Sequence, residues 1–60
     1  MTLHEYLESQ KIDREQYPFY ALIMAAMRQA DSNNIELLRS CWPKVWEELR
    51  ARYDAPGGVI

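Results

Sequence analysis

From Pro18 to Met27 the chain runs ten residues without a charge, nearly all of them apolar. Phe19, Leu22, Ile23, Ala26, Met27 and Ala30 recur at the spacing of a buried helical stripe. The opposite side is hardly polar, because Tyr20 and Met24 fall there with Ala21 and Ala25 between. A helix that is apolar most of the way round is central to its fold or shared with another chain. In 60 residues few other elements exist to surround it.

Covalent and metal staples do not make up that shortage. A folded chain this short hides only about 60% of the surface its unfolded form exposes. Its core rarely supplies more than ~3–5 kcal/mol, and the usual supplements are disulfides, a metal or a partner subunit. Cys41 is the lone cysteine and His4 the lone histidine, which excludes an internal disulfide and a four-ligand His/Cys zinc site. Apolar residues make up 48% of the chain, in line with ordinary globular domains and against disorder. Packing and association remain, so the expectation is a homo-oligomer with no metal and no cofactor.

Charge and end sequences narrow the partner. The net charge is −2 and the pI about 5.2, without the basic stripe of a nucleic-acid binder. Met1-Thr2-Leu3-His4-Glu5 lacks the basic patch and apolar run of a signal peptide. The ten-residue apolar run is half of the about 20 residues that a spanning helix needs. A soluble, cytoplasmic protein with a reduced Cys41 thiol is expected.

Along the chain the pattern predicts an all-α fold of three to four short helices in one domain over residues 1–54, with a tail over 55–60. Thr2 and Glu5 form a capping box, and Leu3, Tyr6 and Leu7 share a face, giving a helix over about 2–10. Asp13 with Gln16 offers a second start, but Pro18 disrupts a helix interior. The second helix therefore begins at Asp13 or at Pro18 and runs to about 30. Asp31-Ser32-Asn33-Asn34 is a turn and cap cluster. Asn33 with Glu36 has the capping spacing, and Asp31 or Ser32 fits nearly as well. The next helix spans about 33–41, with Ile35, Leu38 and Trp42 inward. Pro43 opens the last one, over about 43–53, with Val45, Trp46, Leu49 and Tyr53 inward. Ala55-Pro56-Gly57-Gly58 then stops the helix and releases Val59-Ile60.

No catalytic constellation stands out. His4 and Glu8 share a helix face but lack further ligands. Cys41 sits beside Trp42 on an apolar stripe with no activating base in sequence reach. Gly57-Gly58 lacks the lysine and flanking elements of a phosphate loop. The aromatic side chains carry more weight. Trp and Tyr are favoured in interfaces and base-stacking pockets, and guanidinium groups beside rings can grip a phosphate or a nucleobase. Tyr17, Tyr20, Met24 and Met27 are the candidate oligomer or partner interface. Arg28, Arg39, Trp42, Trp46, Arg50 and Tyr53 are the candidate ligand contacts.

The runs Ala21-Leu22-Ile23-Met24-Ala25-Ala26-Met27-Arg28-Gln29-Ala30-Asp31, Trp42-Pro43-Lys44-Val45-Trp46-Glu47-Glu48-Leu49 and Arg52-Tyr53-Asp54-Ala55-Pro56-Gly57-Gly58 resemble short uncharacterised helical proteins of bacteriophages and mobile elements. The resemblance covers about residues 17–58 and supplies no catalytic residues. It implies a protein that acts stoichiometrically, by binding a host protein, a phage structural protein or a host signalling molecule. Two target classes follow: a host protein that the chain inhibits or adapts, or a small nucleotide-type immune signal sequestered between subunits. A DNA-binding regulator is third, because the helices at about 33–41 and 43–53 are joined too tightly for a helix-turn-helix.

Overall fold

The computed structural model describes residues 1–59 and is all-helical. It comprises α1 (Leu3–Arg14), α2 (Phe19–Gln29), α3 (Ser32–Cys41) and α4 (Pro43–Asp54), followed by a 3-10 turn at Pro56–Gly58. Among the described residues there is no strand, and no helix is long and apolar enough to cross a membrane.

The capping box at the start of α1 is complete. Thr2 Oγ1 accepts from the Glu5 amide at 3.1 Å, and Glu5 Oε1 accepts from the Thr2 amide at 2.8 Å. The expected end near residue 10 is overrun, and α1 continues to Arg14. Ser9 to Arg14 contains no glycine or proline to stop it, and Glu8 pairs with Lys11 at 3.3 Å across the last turns. Asp13 therefore opens no helix; its carbonyl accepts from the Gln16 amide as α1 unwinds. Gln16 itself adopts φ 55°, the left-handed conformation that ends many helices.

Pro18 stands just outside α2 with φ −56° and ψ 142°, so the later of the two possible starts is the one used. It has no side-chain oxygen, and α2 begins without a side-chain cap. Ala30 is already extended, and Asp31 caps α3 by accepting from the Asn34 amide at 2.8 Å. Of the three caps the sequence offers, Asn33, Asp31 and Ser32, the chain uses Asp31, and α3 starts at Ser32. Pro43 forces the residue before it out of the α region. Trp42 accordingly has φ −131° and ψ 63° and forms a one-residue joint. Its amide donates to Leu38 O at 2.8 Å, and its carbonyl accepts from the Trp46 amide at 3.1 Å, so one residue serves the end of α3 and the start of α4.

The chain beyond α4 is not released at once. Arg52 Nε donates to Glu48 Oε1 at 2.9 Å, and Arg52 Nη1 donates to Gly58 O at 2.8 Å, drawing the 3-10 turn back onto α4. Gly57 and Gly58 take φ 62° and 73°, which glycine adopts without steric cost. Ile60, the last residue of the expected tail, lies outside the described residues.

Helices α2, α3 and α4 pack on one another, and α1 comes within 8 Å, Cα to Cα, of none of them. Phe19 at the start of α2 meets Trp42 edge-on at 6.2 Å between ring centroids, while Arg28 at its end lies over the Tyr53 ring. Helices α2 and α4 thus run in the same direction, with α3 returning between them in the chain. The core centres on Met27 and Leu49, 4% and 6% exposed. Ile23, Met24, Ala30, Ile35, Leu38, Trp42, Val45 and Trp46 are half-buried around them. The phase of α2 differs from expectation. Ile23, Met27 and Ala30 face inward with Met24, whereas Phe19, Leu22 and Ala26 are exposed. A helix apolar on every side offers several stripes of similar hydrophobicity, and contact with α4 selects the one through Met27.

Candidate binding pocket and exposed apolar face

On α4, Trp46, Leu49, Arg50 and Tyr53 follow the i, i+3, i+4, i+7 spacing and form one strip. Met27 and Arg28 at the end of α2 meet that strip. Together with Asp54 these residues line a cavity of about 420 Å³, within the usual range of small-molecule sites. Met27 and Leu49 bring the core to its floor, and aromatic and guanidinium groups surround them. Arg28 Cζ lies 5.7 Å from the Tyr53 ring centroid, and Arg50 Cζ 5.9 Å from that of Trp46. Arg39 reaches the same Trp46 ring from α3, at 5.2 Å.

The three arginines differ in what else holds them. Arg39 is also within 3.6 Å of Glu36. Among the described residues neither Arg28 nor Arg50 has a carboxylate within 4.0 Å or a hydrogen-bond acceptor for its guanidinium. Asp54 is the acidic residue lining the cavity, so its walls carry two cations against one anion.

Four of the six residues singled out as ligand contacts, Arg28, Trp46, Arg50 and Tyr53, therefore line one cavity. Arg39 touches it through Trp46. Trp42 does not take part: it is half-buried against Phe19 and lines a separate groove with Glu5, Ala26 and Leu38. Leu49 and Asp54 were absent from the candidate set. Leu49 reads as core in any helical pattern, and Asp54 becomes visible only once α4 is known to run one residue past Tyr53.

The proposed interface residues divide. Tyr17 and Tyr20 are exposed, and Met24 is half-buried. Met27 is core and is withdrawn from any outer surface. The larger exposed apolar surface involves residues that the pattern assigned to a core. Glu5 and Ile12 line grooves against α2. Ile12 is nine positions from Leu3, half a revolution round the helix. Leu3 and Leu7 are thus turned away, 72% and 46% exposed, with Tyr6 beside them. Tyr17, Phe19 and Leu22 add exposed apolar surface on and just before α2.

No protein-family model, curated protein or solved structure matches this chain.

Proposed function

We propose that the chain is a non-enzymatic binding protein of phage or mobile-element type that works as a homo-oligomer in the host cytoplasm and acts stoichiometrically on a host protein. The carrying observation is its surface. It exposes 5275 Å², against about 4,100 Å² for a folded monomer of 7.1 kDa. Its radius of gyration, 13.0 Å, exceeds the roughly 10.4 Å of a 60-residue domain. Covering the excess on two copies would bury about 2,400 Å² in total, inside the range of permanent homodimers. The residues available for that contact are the apolar ones on α1 and at the start of α2.

Sedimentation equilibrium tests the association directly. A dimer or higher oligomer is expected at micromolar concentration, and a stable monomer there overturns the proposal. The host-protein arm is tested by capture with the purified oligomer: one bacterial protein at fixed stoichiometry is the expected outcome, and the absence of any stoichiometric partner overturns that arm.

A second reading is favoured by the guanidinium-lined cavity. In it the target is a small nucleotide-type signalling molecule that the oligomer sequesters.

A further inference from the structure

We infer that the α2–α4 cavity is a nucleotide site, in which Arg28 and Arg50 hold phosphate and Tyr53 holds the base. The inference deepens the second reading above and requires no second copy, because every lining residue belongs to one chain.

The guanidinium groups come first. Each carries five N–H donors in a planar fork that matches phosphate oxygens two at a time. In Arg28 and Arg50 none of these donors meets a protein acceptor among the described residues, and no carboxylate of those residues lies within 4.0 Å of either guanidinium. Both sit against aromatic rings, which orient the fork without using its donors. Two oriented, unused forks at one cavity form an anion receptor.

The ring faces narrow the class of anion. Tyr53 is 74% exposed and stands at the mouth of the cavity, and a flat heteroaromatic base gains most from stacking on such a ring. The floor of Met27 and Leu49 is apolar and offers an acidic peptide nothing beyond its carboxylates. Asp54 adds one carboxylate on the wall, whose oxygens can accept from the exocyclic amine of a base or the hydroxyl of a ribose. An aromatic ligand with phosphate attached uses all three surfaces at once. Inorganic phosphate or a free nucleoside uses only part of them.

Titration calorimetry on the intact chain at about 0.15 M salt tests this, with ADP, GTP and cyclic di-AMP as probes and with adenosine, pyrophosphate and an Asp/Glu-rich peptide as controls. At least one nucleotide should bind saturably at micromolar concentration, with adenosine and pyrophosphate each weaker by about tenfold or more. Arg50→Gln and Tyr53→Ala should each weaken that binding by about tenfold, while Tyr53→Phe keeps most of it. Circular dichroism identifies any variant that loses the fold, and Arg50→Gln, an exposed change on the α4 surface, decides the matter if Tyr53→Ala does. Silence across all three nucleotides overturns the inference, as does equal binding by Arg50→Gln, or tighter binding of the acidic peptide. The two proposals fail separately: a monomer that binds a nucleotide sinks the oligomer alone, and an oligomer indifferent to all three sinks the site alone.

Discussion

Met27 and Leu22 lie five residues apart on α2, and the sequence pattern gives them equal standing as core. The structure separates them: Met27 is buried and Leu22 is exposed. Met27→Ala should therefore cost about 2–5 kcal/mol, comparable to the whole ~3–5 kcal/mol that a core of this size supplies. The variant is expected to lose its cooperative thermal transition, whereas Leu22→Ala in the isolated chain should retain it. Gln16 offers a change in the other direction. A side chain at φ 55° costs about 1–2 kcal/mol, part of which glycine returns as greater freedom in the unfolded chain. Gln16→Gly should stabilise by about 0.5 kcal/mol, raising the thermal midpoint by roughly 2–4 °C.

At the scale of the element, the helix content and most boundaries were legible because Thr2, Asp31, Pro18 and Pro43 are strong local signals. Two features were not. The length of α1 depended on the absence of any breaker between Ser9 and Arg14, which an attractive Asp13 start concealed. The phase of α2 depended on which neighbour it met, and a helix apolar all round does not record that locally. Four pocket residues were legible by their chemistry, as guanidinium and aromatic groups, but the sequence pattern placed Arg50 outside the stripe of Trp46 and Tyr53 and did not bring the four together. The contribution of Arg28 to it depends on the parallel run of α2 and α4, a tertiary fact. Helix α1 also carries its own prediction. Its capping box holds the first turn, but no backbone packing ties it to α2, α3 or α4. In native-state hydrogen exchange its amides should be among the least protected helical amides in dilute protein and gain protection as concentration rises.

The molecule as a whole is flattened, with principal extents of 38 × 26 × 16 Å. Such a shape lets both broad faces meet other molecules, and it leaves stability tied to association. If copies cover the α1 and α2 apolar surface, the thermal midpoint must rise with protein concentration by mass action. Leu7→Glu should abolish that dependence and leave a monomeric, helical chain, since Leu7 touches no core in the isolated subunit. A midpoint independent of concentration from about 1 to 100 µM in the unmutated protein would contradict the oligomer.

The one-residue joint at Trp42 sets a further condition on the pocket. An ordinary loop absorbs an added or lost residue by changing its path. Here the proline that follows and the two backbone bonds that Trp42 makes leave no slack. Helices α3 and α4 are geared together, and one tooth of slippage turns α4 by about 100°. Trp46, Arg50 and Tyr53 would then swing away from Arg28 as a block. Length change at this joint should therefore be selected against far more strongly than at Ala30 or after Gly58, even where the residue types themselves drift.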